Sequence, residues 1–249
     1  INEIGVGGVE STYIFLPESL AKLGHNCFVF CNCKEEHIYN KVFYIPYQNL
    51  AKYVQLNPAV VITSRWADPL EMFPNAVRII YYQDAYFAHL KTTSGKNATD
   101  LANLIMVSSP WHRSYLAERY GQSVDAKKIR IIPLGIKKDM FQFFTGVRDP
   151  LRCIYTSNPD RGLWQLMNMW PEISKRIPGV NLKIAYGFQG LRTWSPEKAR
   201  EADEQEPKLL NWAKEMGNVE FLGRLKKADL YQALACSSLL TFSCNFFET

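Results

Sequence analysis

The opening stretch INEIGVGGVESTYIFLPESLAKLGHNCFVFC, residues 1–31, decides the fold. A short segment, Ile1–Ile4, stands where the end of a first strand is expected and leads into a turn with glycines at 5, 7 and 8. From Ser11 to Leu23 the apolar residues Ile14, Leu16, Leu20 and Leu23 suit one face of a helix. Gly24 follows at the place where a helix commonly ends on glycine. Cys27–Cys31 is then an unbroken apolar run of strand type. Strand, glycine turn, helix and strand in succession predict the first unit of a parallel α/β sheet.

The alternation continues down the chain. Strands are predicted at Val42–Ile45, Ala59–Thr63, Val77–Tyr82, Leu104–Val107 and Ile129–Ile132. Helices are predicted at Trp66–Phe73, Ala98–Asn103 and Pro110–Tyr120, the last opening on a proline, which the first helical turn tolerates. These strands are apolar runs rather than alternating ones, which suits a sheet covered on both faces. Phe144–Pro150, FTGVRDP, carries turn residues without periodicity and reads as a linker. A second series follows: strand Arg152–Thr156, helix Leu163–Arg176, strand Val180–Tyr186, a loop over Gly187–Glu201 and a polar helix Ala202–Met216. Strand Val219–Leu222, helix Lys226–Ala235 and strand Ser238–Phe242 complete it. The expectation is two doubly wound, Rossmann-like α/β domains, 1–146 and 147–249, with no repeat of solenoid length. Both ends read as cut, because little of the first strand precedes the glycine turn and the second domain stops soon after a strand.

The chain has 249 residues, enough for two modest domains. Its apolar share of 47% and charged share of 21% exclude a disordered protein. A net charge of +5 is compatible with an anionic ligand, but Lys and Arg form no dense block, so nucleic acid is not an expected partner. No apolar run has the ~20 residues that span a bilayer, and no secretory signal is read. The six cysteines lie mostly in strand-like runs and are expected to be reduced thiols in the cytoplasm, where the sequon Asn97-Ala98-Thr99 means little. Cys27, Cys31 and Cys33 have no second Cys/His pair at zinc spacing, so no metal is expected.

The Gly7-Gly8 turn stands before a helix, where backbone N–H groups favour an anion. A plain tight turn is the competing reading, and the spacing is not the G-x-G-x-x-G of a dinucleotide site. Arg161 stands at a strand-to-helix junction with Ser157 in the same loop; it reads as a phosphate ligand or as a helix-start surface arginine. Glu248 follows a strand, where open sheets place ligand residues; it reads as a site carboxylate or as a solvated one. Gln83 and Asp84 follow the Val77–Tyr82 strand. His112 reads as helix surface rather than as a base.

Five segments together resemble glycosyltransferase family 4. They are GGVE with LAKLGHNCFVF, IRIIPLGIKKDMF, YTSNPDRGLWQLMNMWPEI, VEFLGRLKKADLYQAL and FSCNFFET. Gly7, Gly8, Glu10, Gly24 and His25 match the first motif, and Pro133, Gly135, Ile136 and Phe141 the second. Leu134 and Lys137 depart from an Asn and an Asp usual there. Arg161, Gly162 and Leu163 match the start of the second domain, and Trp170-Pro171 a frequent helix end. Gly223 follows the strand before the donor site, and Glu248 stands as the first glutamate of a Glu-x7-Glu motif.

The resemblance implies a GT-B fold, two Rossmann-like domains facing across a cleft, with the nucleotide-sugar donor on the second and the acceptor on the first. It implies retaining transfer to a hydroxyl without a metal, the leaving phosphate itself taking the acceptor's proton. Arg161 would stabilise the leaving diphosphate, Ser157, Gly223 and the Gly7-Gly8 turn would help hold the donor, and Glu248 would contact its sugar. Many members have a His where this chain has Gln83; Gln83 would donate a hydrogen bond instead, and Asp84 would orient the acceptor. The family admits peripheral membrane contact, but no basic amphipathic helix argues for it. Two alternatives stand beside this reading: a non-catalytic nucleotide-sugar-binding module, and a nucleotide-sugar epimerase of the same fold.

Overall fold

The computed structural model describes residues 8–84, 90–120, 125–138, 144, 146–193 and 195–244. They form two compact units, one of Gly8–Ile136 and one that begins at Lys137. Both are α/β. In the first, helix α1 (Gly8–Lys22) continues through Pro17, whose ring is buried. Gly24, with φ of 95°, ends it in a Schellman turn: Gly24 N donates to Ala21 O and His25 N to Leu20 O. Strand β1 (Cys27–Cys31) pairs in parallel with β3 (Val42–Pro46), and β2 (His37–Tyr39) pairs antiparallel on the far side of β3. The β2–β3 hairpin corrects the all-parallel expectation. It turns on Asn40 and Lys41, both with positive φ, 49° and 63°. Two consecutive left-handed residues make the turn that matches strand twist.

A 3-10 helix, Tyr47–Leu56, follows where no element is expected. Strands β4 (Val60–Thr63), β5 (Val77–Tyr82), β6 (Leu104–Val107) and β7 (Ile129–Ile131) then form a fully parallel sheet in that order. Helices α2 (Asp68–Met72), α3 (Ala98–Leu101) and α4 (Pro110–Tyr120) connect them. Leu70, Ile80, Tyr82, Ile105, Val107 and Leu116 are buried together between sheet and helices.

The second unit is built on β8 (Asp149–Tyr155), β9 (Asn181–Ile184), β10 (Val219–Phe221) and β11 (Ser237–Leu240), all parallel, in the order β10-β9-β8-β11. Because β8 starts at Asp149, the segment read as a linker ends inside the sheet. Helix α5 (Leu163–Arg176) has the bounds expected from the sequence and continues through Pro171. A proline inside a helix removes one backbone bond, and the burial of Leu163, Leu166 and Trp170 along the other face offsets that loss. The stretch read as a loop over Gly187–Glu201 holds α6 (Gln189–Arg192) and the start of α7 (Pro196–Met216). Ser195 caps α7 by accepting from Lys198 N at 3.2 Å, and Pro196 occupies its first turn. Helix α8 (Lys227–Ala235) leads into β11. Among the described residues no helix is long and apolar enough to cross a membrane.

Trp170 is the largest fully buried side chain of this unit. Its Nε1 donates to Asn218 Oδ1 at 3.1 Å, while Asn218 Nδ2 donates to Ser174 Oγ at 3.0 Å and Val180 O at 2.9 Å. Asn218 thereby ties α5 to the start of β10. Trp170→Ala is expected to destabilise this unit by about 3–5 kcal/mol. Trp170→Phe, which fills most of the space but leaves Asn218 Oδ1 without its donor, should cost about 1–3 kcal/mol. Urea unfolding followed by circular dichroism separates the two; equal losses would mean that the Asn218 bond contributes nothing.

Candidate functional site

In the second unit the chain moves outward from β8 to β9 and β10, then returns to add β11 on the opposite edge of β8. The direction of winding therefore reverses between β8 and β11. At such a reversal the loops leave in opposite directions and open a crevice at the carboxyl ends of the strands. The turn after β8, Thr156–Gly162, stands on one side of it and Thr241–Cys244 on the other.

The first turn is tightly held. Tyr155 is wholly buried, its hydroxyl donates to Asn158 O at 2.6 Å, and burial pushes its pKa up. Arg161 N donates to the same carbonyl at 2.8 Å, and Leu163 N to Pro159 O at 3.2 Å. The Arg161 side chain is 27% exposed, with Nε 3.9 Å from Asp160 Oδ1. Ser157 lies half-buried in the same turn. Gly223 follows β10 with φ of 66°, and a Cβ there would meet nothing within 4 Å.

The first unit gathers polar groups at the matching ends of β4, β5 and β6. Arg65, just past β4, directs Nε and Nη2 at Asp84 Oδ2, 2.9 and 2.7 Å away, and stands 3.9 Å from Glu10 Oε1 on α1. Tyr13, one turn along α1, is half-buried with its hydroxyl enclosed, and the desolvation pushes that hydroxyl up to about 12. Gln83 is buried at the end of β5. His112 is wholly buried, against the expectation of a surface position. Its Nδ1 lies 3.5 Å from Ser108 Oγ and its backbone N–H is capped by Ser109 Oγ at 3.1 Å. Nε2 has no hydrogen-bond partner among the described residues. Burial lowers its pKa below the ordinary 6.5, and the Asp84 carboxylate opposes that shift.

The expected residues thus fall into two groups within their units. Arg161 and Ser157 share the β8 turn, with Gly223 on a loop of the same sheet, while Gln83 and Asp84 end β5. Gly8 is already helical at the start of α1, so it is not itself the turn, and a Cβ there would meet nothing within 4 Å. Gly7 and Glu248 lie outside the described residues. Sequence reading missed Arg65 and Tyr13. A cation directly after the apolar run Val60–Thr63 was the available signal for Arg65; nothing local marked Tyr13. Cys27, Cys31 and Cys33 are thiols, and no group of three potential metal ligands is found among the described residues. A concavity of about 280 Å³ lined by Asn57, Met72, Phe73 and Pro74 lies before β4 and β5, at the end of the sheet away from these polar groups.

No protein-family model and no curated protein matches the chain. Solved structures do match. Sucrose-phosphate synthase from Thermosynechococcus elongatus superposes with a TM-score of 0.69 at 14% identity, over 98% of this chain and 72% of that one. A glycosyltransferase from Rickettsia africae gives 0.64 at 15%, over 100% and 72%. Anabaena HepE, solved in complex with UDP, gives 0.57 at 16%, over 83% and 61%. The chain has the GT-B fold of these glycosyltransferases, and at such identities the likeness is one of fold.

The buried His112 yields a pH signature. Its folded pKa is depressed, so below pH 6.5 the unfolded chain binds a proton that the folded chain resists. Stability is therefore unaffected by His112 well above pH 6.5 and declines as pH falls through 6.5 towards the folded pKa, by at most about 1.4 kcal/mol per pH unit. Thermal melts between pH 7.5 and 5.5 should show a fall in Tm that is steeper in the native chain than in His112→Gln. Parallel curves would mean that His112 takes up its proton equally in both states.

Proposed function

We propose that this chain is a retaining glycosyltransferase of the family 4 type, moving a hexosyl group from a nucleotide-diphosphate sugar to an acceptor hydroxyl. The observation that carries the reading is Arg161: a guanidinium on an anchored turn at the switch point of a parallel sheet, where open α/β sheets bind ligands. In the reaction the bond from the anomeric carbon to the diphosphate breaks and a bond to the acceptor oxygen forms on the same face. The acceptor proton passes to the departing phosphate oxygen. Negative charge builds on the diphosphate, and a fixed cation stabilises it without reorganisation. Arg161 supplies that cation, Ser157 a hydrogen bond in the same turn, and the glycines Gly7, Gly8 and Gly223 close backbone approach. Glu248 contacts the donor sugar. With the charge carried by Arg161 and backbone N–H groups, the mechanism needs no metal.

Residues 147–249 form the donor side in this reading and 1–146 the acceptor side. Gln83 donates a hydrogen bond where related enzymes carry a histidine. Asp84, oriented by Arg65, accepts from an acceptor hydroxyl. Arg65, Asp84 and Glu10 together carry one excess negative charge, which favours a hydroxyl-rich neutral acceptor over an anionic one. A cytoplasmic location accords with cysteines that all remain thiols.

Calorimetric titration of UDP, GDP and ADP in the presence of a chelator tests the reading. One of them should bind saturably, and Arg161→Ala should weaken it by about 2–3 kcal/mol, the worth of a desolvated charge-assisted pair. Affinity unchanged in Arg161→Ala would remove Arg161 from the site. Binding without turnover of the matching nucleotide sugar would shift the reading to a non-catalytic binding module.

A further inference from the structure

We infer that Ser243 is a positioning residue for Arg161, acting through the carbonyl of Gly162; the inference rests on the donor reading of Arg161 given above. The ladder between β8 and β11 closes at Thr241, whose N and Oγ1 both donate to Ile154 O, at 2.8 and 3.0 Å. Past that rung the two segments leave on opposite sides of the switch point and are free to part. Here they stay in contact. Ser243 Oγ donates to Gly162 O at 2.5 Å, across 81 positions of sequence. Main chain meets main chain at the same place. A Cβ on Gly162 would run into the Ser243 carbonyl and stand 2.7 Å from Cys244 N. Gly162 also has φ of 94°, a conformation in which side chains are strained.

Arg161 is thereby held from both sides. On its N-terminal side Asn158 O accepts from both Tyr155 Oη and Arg161 N. On its C-terminal side Gly162 O accepts from Ser243 Oγ. A guanidinium that stabilises charge as it develops works best when its backbone is already fixed, so that no reorganisation precedes the reaction. The Ser243 bond is suited to positioning rather than to folding. Gly162 O also accepts Leu166 N at 3.1 Å, the first backbone bond of α5, and that bond remains when the hydroxyl is removed.

A double-mutant cycle on nucleotide affinity tests this. Whichever of UDP, GDP and ADP binds the native chain is titrated into Ser243→Ala and Ser243→Thr, and into Ser243→Ala combined with Arg161→Ala. Ser243→Ala is expected to weaken binding by about 5- to 10-fold, the worth of one ordinary hydrogen bond. Ser243→Thr, which keeps the hydroxyl, should restore most of it. In the Arg161→Ala background, removing the hydroxyl should have no further effect, because the group it positions is gone. An equal loss in both backgrounds, or no loss in either, overturns the positioning role while Arg161 keeps its own effect and the donor reading stands. If no nucleotide binds, or if Arg161→Ala alone changes nothing, the donor reading fails and the positioning role fails with it.

Discussion

Strand β8 is bonded on both edges, and the second unit depends on that constraint. Its residues pair with β9 from Arg152 to Tyr155 and with β11 through Cys153 and Ile154. Its last three residues, Cys153, Ile154 and Tyr155, are all buried. A strand hydrogen-bonded on both edges and buried on both faces cannot shift register without breaking both ladders and repacking both faces. The turn that follows therefore starts from a fixed point. Tyr155 extends that fixity one step by reaching out of the sheet to the Asn158 carbonyl. The position of Arg161 is thus a consequence of sheet order: with β11 added to the other edge of β8, the crevice opens beside this turn.

The first unit handles polarity differently. Its strand ends carry Arg65, Asp84, Gln83 and, from α4, a wholly buried His112. Arg65 spends its charge on Asp84 and, at longer range, on Glu10. A paired cation of this kind orients a carboxylate more than it attracts an anion. The second unit places Arg161 on the turn after β8, with Nε 3.9 Å from Asp160 Oδ1, and the first unit pairs Arg65 with Asp84.

Much of this frame was legible from local pattern. The bounds of β5, β6, α4 and α5 agree with the apolar runs and the proline or glycine at their edges, because those signals are local. The β2–β3 hairpin escaped notice because Asn40-Lys41 lacks the glycine that usually marks such a turn, although Asn tolerates positive φ. The start of α7 was hidden by its polarity, yet Ser195-Pro196-Glu197 carries both a cap and a first-turn proline. His112 was misjudged for a different reason. It stands beside Arg113 near a helix start, and only packing against the sheet decides that this face points inward. Arg65 and Asp84, separated by 19 positions, meet through strand order, which no local window reports.

Gly162 and Gly223 show where the sequence stops informing. Each follows a strand of the same sheet, and each has a positive φ, 94° and 66°. From sequence they are equivalent turn glycines. Space separates them. At Gly223 a Cβ would meet no protein atom within 4 Å, so within the protein itself only the positive φ favours glycine. At Gly162 the main chain of Ser243 and Cys244 fills the space a side chain would need. Conformation and close approach then act together, and no other residue satisfies both. The approach also brings the Ser243 hydroxyl within reach of a carbonyl 81 positions away. A glycine required twice over is thus the point at which the two chain segments bordering the switch point become one structural unit.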